Sequence, residues 1–149
     1  MRIFTVFLLA AIGTFVVDQS IKTLFLDGYY REGQCIDLSL HFNKGVAFSM
    51  FAFVGTYLKW IQLLFIGGIL YYILSRGYLK HYAFPSGLLI GGALGNLYDR
   101  FVHEGVVDYI AWHCGFDFAV FNYADVAIDA AVAWIILATY FSSKKAVES

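Results

Sequence analysis

The sequence predicts an all-α integral membrane protein with four transmembrane helices and a small extracytoplasmic β element. Of its 149 residues, 60% are hydrophobic and only 14% are charged, and the mean hydropathy is +0.69. A soluble domain carries about 25% charged residues, so the apolar excess indicates a chain that crosses a bilayer several times. The chain has one proline and no repeat or low-complexity linker, which predicts a single membrane-embedded domain over residues 1–149. A net charge of −1 leaves no basic surface for nucleic acid.

Four apolar stretches approach the length of about 20 residues that a membrane span needs. The expected spans are about 3–25, 54–74, 79–98 and 123–141. The first span contains Asp18 and Lys22, and no small-residue cleavage site follows it, so we do not interpret it as a signal peptide.

The distribution of Lys and Arg between the loops predicts the orientation. One side carries Arg2, Arg76, Lys80, Lys144 and Lys145, whereas acidic residues outnumber basic ones in the loops on the other side. We therefore expect both termini to be cytoplasmic and the two long loops, which carry the candidate site residues, to lie outside.

The outer loops contain two patterns with a period of two residues. Apolar and polar residues alternate from Cys35 to Phe42, and again over 116–120. Such alternation indicates half-buried strands, so we expect a small antiparallel sheet on the membrane surface. The apolar, aromatic stretch 45–53 is expected to lie in the membrane interface.

Two acids in the outer segments, Asp108 and Asp125, are candidates for a catalytic pair. Each has a simpler interpretation: Asp108 as a solvated loop acid, and Asp125 as a first-turn acid that a helix N-terminus favours. Together they suit other chemistry, because two carboxyls in close approach share a proton. One then acts as a base on water and the other as an acid toward a peptide carbonyl.

The other polar residues of the apolar chain allow structural and functional interpretations. Asp18 and Lys22 are four residues apart on one helix face, which favours an ion pair. Arg100 can pair with Asp99 or another outer carboxylate, or donate to the carbonyls of a bound peptide. Asp129, one turn beyond Asp125, can support it or line a wet cavity.

Glycines, an asparagine and two cysteines complete the candidate list. Gly91, Gly92 and Gly95 form a small-residue face that is typical of close helix packing. Asn43 before Lys44-Gly45 is compatible with a simple turn. Cys35 and Cys114 can form a disulfide or remain free thiols. His103-Glu104 begins like a zinc-protease motif, but Val107 stands in place of the second His, and we expect no metal and no cofactor.

Taken together, the motifs resemble those of bacterial lipoprotein signal peptidases (signal peptidase II). The matching segments occur in family order along nearly the whole chain: Asp18-Gln19, Lys22, Asn43-Lys44-Gly45-Val46-Ala47-Phe48, 91–100, 105–109 and 121–128. One departure is Ile21, where the family usually has Ser or Thr before the Lys; here Ser20 stands one place earlier.

The resemblance implies an aspartic endopeptidase of the bacterial inner membrane that needs no metal. It would cleave lipidated prolipoproteins on the amino side of a cysteine that already carries diacylglycerol, with its lipid remaining in the membrane. Asp108 and Asp125 match the catalytic dyad of the family, and Asn43 and Arg100 match residues that hold the peptide backbone. Asn96 and Asn122 also match polar residues around the site, and we expect them to bind the substrate as well. Asp18 and Lys22 match structural polar residues of the family. The resemblance also implies sensitivity to the cyclic peptide antibiotic globomycin, and we expect a monomer.

Two other classes of function stay open at this stage. A proton- or ion-coupled carrier also uses acids on spans, but such carriers are usually larger and have repeated halves. A non-catalytic lipoprotein-binding subunit would not need the pair of Asp residues.

Overall fold

The computed structural model describes residues 1–45, 57–103, 105–116 and 118–148. These residues form a mostly helical protein with one small sheet, as predicted. The helices are α1 (Arg2–Leu26), α2 (Leu58–Ser75), α3 (Leu79–Val102) and α4 (Tyr123–Glu148), and the strands are β1 (Ile36–Asn43) and β2 (Val106–Trp112). Of the segment expected at the membrane interface, 46–53 lies outside the described residues.

Three of the described helices are long and apolar enough to cross a membrane. They are α1, α2 and the Tyr123–Lys144 part of α4. The helix α3 differs because it contains Pro85 and a non-helical residue, Tyr82, at φ −129° and ψ 28°. Proline has no backbone N–H and disturbs the preceding turn, which accounts for the kink at this place.

The helix α3 is the centre of the helical assembly, because α1, α2 and α4 all pack against it. A Cβ at Gly87 would lie 2.6 Å from the carbonyl oxygen of Phe7, and one at Gly92 would lie 2.7 Å from that of Ala124. A Cβ at Gly91 would collide with the carbonyl oxygen of Ala11. The predicted close packing of the glycine face is therefore confirmed. The glycines let α1 approach one side of α3 and α4 approach another.

The core of the helical region is a cluster of Phe7, Ile66, Ile90 and Leu97. Many other large apolar side chains of the helices are exposed on the outside of the protein. Contiguous exposed apolar surface on this scale is typical of a face that contacts lipid.

The sheet consists of β1 and β2 in antiparallel pairing, with Ile36 opposite Trp112 and Asn43 opposite Val106. The prediction of β1 is confirmed. The prediction of its partner is wrong, because 118–120 is not a strand and Phe121 forms only an isolated bridge with Ile110. The true partner begins with four consecutive buried residues, Val106 to Tyr109, so it lacks the alternation that sequence analysis looks for. Asp117 lies outside the described residues.

A disulfide links Cys35 and Cys114 at one end of the sheet, with a Cα–Cα distance of 4.4 Å. The backbone N–H of His113 donates to the carbonyl of Cys35 at 3.0 Å. The His113 ring also lies 3.3 Å from the carboxylate of Asp37. Of the two possibilities left open by the sequence, the structure adopts the disulfide.

Candidate active site

Asp108 lies on β2 and is buried, with 2% of its surface exposed. Its carboxylate accepts hydrogen bonds from the side-chain amides of Asn43 at 3.1 Å and Asn122 at 2.7 Å. Burial and the nearby charge of Asp125 raise the pKa of Asp108 to about 6. The interpretation of Asp108 as a solvated loop acid is therefore wrong.

Asp125 lies in the first turn of α4 and takes part in a reciprocal cap with Asn122. The backbone N–H of Asn122 donates to the Asp125 carboxylate at 3.1 Å, and the backbone N–H of Asp125 donates to Asn122 Oδ1 at 3.0 Å. This is the pattern of a capping box, so the first-turn interpretation of Asp125 holds. The same carboxylate also accepts a hydrogen bond from the side-chain amide of Asn96 at 2.8 Å.

Asn122 connects the two carboxyls and is fully buried. Its Nδ2 is within 2.7 Å of Asp108 Oδ1, 3.0 Å of Asn96 Oδ1 and 3.3 Å of the Val107 carbonyl. Asn96 in turn donates to Asp125. A network of amides therefore fixes the two acids relative to each other.

A buried ionic cluster supports this network from α1. Lys22 Nζ lies 2.8 Å from Asp18, 2.6 Å from Asp99 and 2.9 Å from the Asn96 oxygen. All three charged residues are at most 1% exposed. The predicted pair of Asp18 and Lys22 is confirmed, but Asp99 pairs with Lys22, so the suggested partnership of Asp99 with Arg100 is wrong.

The cluster also holds the two elements that carry the candidate dyad. Asp18 accepts the backbone N–H of Ala124 at 3.1 Å, at the start of α4. Asp99 accepts the backbone N–H of Val107 at 3.1 Å, on β2. Because these N–H groups neighbour Asp125 and Asp108 in sequence, the cluster fixes the backbone on which both acids are placed.

Sequence reasoning assigned no role to Gln19, whose amide donates to Asp18 at 3.1 Å and to Asp99 at 3.0 Å. A polar side chain beside Asp18 in a span was the available signal. Ser20, in contrast, donates to the carbonyl of Val16 within its own helix at 2.7 Å. The shifted hydroxyl therefore bonds within α1.

Both candidate acids line one cavity of about 480 Å³. Three further predicted site residues, Asn43, Asn96 and Arg100, line it too. Arg100 donates to the carbonyl of Gly45 and, at 3.5 Å, to that of Asn96. Its Nε is buried and has no hydrogen-bond partner among the described residues.

The cavity also extends along α2 and α4, away from the amide network. Leu58, Ile61, Gln62 and Phe65 of α2 line this part, together with the exposed Asp129 of α4. Asp129 was expected to support Asp125 or to line a wet cavity, and it does line the cavity. Gln62 was not predicted, although an amide within an apolar span is a signal of function.

Comparison with known proteins identifies the family of the chain. The family model described as signal peptidase (SPase) II, Peptidase_A8, matches residues 10–141. The chain belongs to the signal peptidase II family. The resemblance predicted from the motifs is thus confirmed, and the protein is a membrane-embedded protease of an aspartic peptidase family. The alternatives of a carrier and of a non-catalytic subunit are set aside.

Two relatives and one solved structure show how closely the chain follows the signal peptidase II family. The lipoprotein signal peptidase of Sulfurovum sp. (strain NBC37-1) is 78% identical, over 98% of this chain and 100% of the relative. That of Sulfurimonas denitrificans is 56% identical, over 93% of this chain and 90% of the relative. A solved structure described as a bacterial membrane enzyme superimposes with a TM-score of 0.80 at 25% identity, covering 93% of this chain and 90% of that one.

Proposed function

We propose that the protein removes signal peptides from prolipoproteins with Asp108 and Asp125 as its catalytic pair. The bond cleaved is the one on the amino side of the diacylglyceryl-modified cysteine. The observation that carries the proposal is that both carboxyls line the same cavity and are joined by Asn122. The names of the relatives, which are lipoprotein signal peptidases, support the substrate class.

The two acids divide the work of peptide hydrolysis. The raised pKa of Asp108 suits it to hold the proton at the start of the cycle and to donate it toward the scissile carbonyl. Asp125, held by Asn96 and Asn122, then acts as the base that takes a proton from the attacking water. The tetrahedral intermediate collapses when the leaving nitrogen receives a proton from the pair. No step requires a metal ion.

Asn43 and Arg100 hold the peptide on the two sides of the pair. Asn43 lies at the end of β1 and Arg100 at the end of α3, and both line the cavity. The guanidinium of Arg100 has an unpartnered Nε among the described residues, which leaves a donor for a substrate carbonyl. Its planar fork can hold several acceptors in fixed geometry.

The membrane arrangement belongs to the same proposal. All four helices, including α3, span the bacterial inner membrane as one domain, and both termini are cytoplasmic. The asymmetry of Lys and Arg between the loops supports this orientation. The site then lies at the outer face, where the lipid of the substrate stays in the bilayer while its peptide bond meets water. The protein acts as a monomer and is inhibited by globomycin-type cyclic peptides.

The test is cleavage of a purified lipidated precursor by the wild-type protein and by Asp125→Asn side by side. The variant keeps the volume of the side chain but removes the base. Cleavage should fall by at least about 10³-fold, the scale of a lost general acid–base. Asp27→Asn is the control, because it makes the same change at an exposed acid that does not line the cavity. Substantial cleavage by purified Asp125→Asn would remove Asp125 from the dyad.

A further inference from the structure

In the sequence of α2, Gln62 is the one residue with a side-chain amide, and it lines the cavity that contains the two candidate acids. The other α2 residues that line this cavity are Leu58, Ile61 and Phe65. The amide therefore stands among apolar side chains, where a polar group is costly unless its atoms are hydrogen-bonded. The N–H groups and the oxygen of Gln62 thus need partners.

One contact fixes the position of the Gln62 amide relative to the dyad. Gln62 Nε2 donates to the carbonyl of Ala93 on α3 at 3.3 Å. Ala93 precedes Asn96 by three residues, about 4.5 Å along the helix axis, and the Asn96 amide donates to Asp125 at 2.8 Å. The Gln62 amide is therefore anchored less than one turn of α3 away from a group that holds Asp125.

The anchored amide keeps hydrogen-bonding capacity that the protein does not use. A glutamine amide has two N–H donors and a carbonyl oxygen that accepts, and the contact with Ala93 occupies one N–H. Within the part of the chain that the structure describes, no group donates to the Gln62 oxygen. This oxygen is therefore available to a donor from a bound ligand.

The oxygens of the other amides on the cavity are already occupied. Among the described residues, the amide side chains of the lining are Asn43, Asn96 and Gln62. The Asn43 oxygen accepts the backbone N–H of Gly45 at 3.0 Å, and the Asn96 oxygen accepts hydrogen bonds from two side chains. The carboxyls of the lining are the two acids of the dyad and the exposed Asp129. Gln62 therefore contributes a neutral acceptor that is still free.

A peptide substrate brings donors that need such an acceptor. Each main-chain N–H loses its water when the chain enters a cavity, and an N–H that finds no new partner weakens binding. Arg100, which is proposed to hold the peptide, can only donate, so it serves carbonyl groups. An extended chain advances about 3.3–3.6 Å per residue, so the offset of about 4.5 Å along α3 corresponds to one or two residues of substrate.

We propose that the Gln62 oxygen accepts a main-chain N–H of the substrate within two residues of the scissile bond. The inference rests on the proposed function, which supplies the peptide substrate and the dyad. Gln62 then holds the peptide from α2, while Arg100 holds it from α3 and Asn43 from β1. The three side chains together fix which peptide bond lies at the two acids.

The experiment replaces one amide of a lipidated substrate peptide at a time by an ester, which removes a single N–H and keeps every side chain. The esters are placed at the two linkages on each side of the scissile bond. Wild-type kcat/KM should fall by about tenfold at one of these linkages, mainly through KM, the scale of one hydrogen bond. In Gln62→Met, which keeps the length of the side chain but has no oxygen, the fall at that linkage should shrink to about twofold or less.

Control variants separate the acceptor from its surroundings. Ile61→Met changes the packing of the same helix and cavity and should keep the full fall at the sensitive linkage. Asp129→Leu removes the exposed carboxyl of the lining and should keep the fall as well. If Gln62→Met does not fold, Gln62→Asn takes its place. It retains an amide, but its oxygen is one methylene shorter and should no longer reach the peptide N–H.

Three results would overturn the inference. One is an equal fall in the wild type and in Gln62→Met at every linkage, which would show that Gln62 binds no substrate N–H. Another is a Gln62→Met variant that is less stable and slows all the substrates by one common factor, which would make Gln62 only a tie between α2 and α3. The third is a fall that Asp129→Leu removes and Gln62→Met leaves, which would assign the N–H to the carboxyl.

Binding measurements distinguish a failure of the inference from a failure of the proposed function. The amide and ester lipopeptides are bound to Asp125→Asn, with and without Gln62→Met, so that the comparison needs no cleavage. Cleavage that persists in purified Asp125→Asn would contradict the dyad, and the binding comparison would still decide the role of Gln62. Equal losses of binding with and without Gln62, in a protein that Asp125→Asn inactivates, would contradict only the role of Gln62.

Discussion

Removal of the buried ammonium of Lys22 should destabilise the protein far more than removal of either single carboxylate around it. In Lys22→Met, Asp18 and Asp99 lose the cation at 2.8 and 2.6 Å and remain at most 1% exposed. Breaking a buried ion pair costs about 3–5 kcal/mol when the partner stays charged. Here two carboxylates are left without their cation, so we expect the free energy of unfolding to fall by an amount at the upper end of that range.

Asp18→Asn tests the same cluster from the other side. The change leaves one cation, Lys22, facing one anion, Asp99, so the cluster becomes neutral. The Asn side chain can still accept the N–H of Ala124, which Asp18 accepts at 3.1 Å. We therefore expect a cost of about 1–2 kcal/mol, the scale of weakened hydrogen bonds. The double variant should be more stable than Lys22→Met alone, because neutralising Asp18 removes one of the two unpaired carboxylates.

The assay is unfolding in mixed micelles titrated with a denaturing detergent, followed by far-UV circular dichroism. Lys59→Met is the matched control: Lys59 is half-buried and lies 5.0 Å from the centre of the Phe101 ring, a contact worth about 0.5–1 kcal/mol. The reasoning is refuted if Asp18→Asn costs as much as Lys22→Met. It is also refuted if Lys22→Met costs no more than Lys59→Met.

Asp108→Asn should abolish cleavage and also change the pH dependence of stability. The pKa of about 6 in the folded protein lies above the ordinary value of 3.8 for an Asp carboxyl, so the folded state binds more protons than the unfolded state between these two values. The free energy of unfolding of the wild type should fall as pH rises through that window, by up to about 3 kcal/mol. Unfolding titrations of Asp108→Asn should lack this decline. If the variant shows the same pH dependence as the wild type, the raised pKa of Asp108 is contradicted. Arg100→Lys should keep the charge and the fold but weaken cleavage and globomycin binding together, whereas normal binding with lowered thermal stability would make Arg100 a structural residue. Reporter fusions after Ser143 and within 75–80 should read cytoplasmic, and a fusion near Glu32 extracytoplasmic; an inverted pattern would place the site on the wrong side of the membrane.

The helices, β1 and the pair of Asp18 and Lys22 could be predicted because each depends on local sequence, whereas the two acids of the candidate dyad were singled out by the resemblance of their motifs to a family. Long apolar stretches indicate spans whatever packs against them, and the alternation around Leu38 identifies β1. The pair of Asp18 and Lys22 follows from helical spacing alone. These patterns can be recognised in the sequence without any knowledge of the tertiary structure.

The features that were missed depend on contacts between distant segments. The strand β2 is buried from Val106 to Tyr109, including Asp108, so its sequence lacks the alternation of polar and apolar residues that identified β1. The position of Asp99 at Lys22 requires α1 and α3 to lie side by side in a particular register. The same holds for Gln62 and Asp129, which share a cavity only because α2 and α4 both pack against α3. The periodicity of one segment carries no information about its contacts with distant segments.

The glycine contacts on α3 set a limit on how the site can vary. A Cβ at Gly95 would collide with the Asp18 carboxylate, and one at Gly92 would lie 2.7 Å from the carbonyl of Ala124. One added methyl group would push α1 or α4 away and move a carboxylate with it. Because a misplacement of about 1 Å can cost about 10²-fold in rate, Gly→Ala at these positions changes the spacing of the chemical groups even though glycine itself has no side chain. The distances between α3 and its neighbouring helices are thus set by glycine backbone that touches other backbone or the Asp18 carboxylate. The apolar faces on the lipid side make no such contacts, so their sequence is free to change.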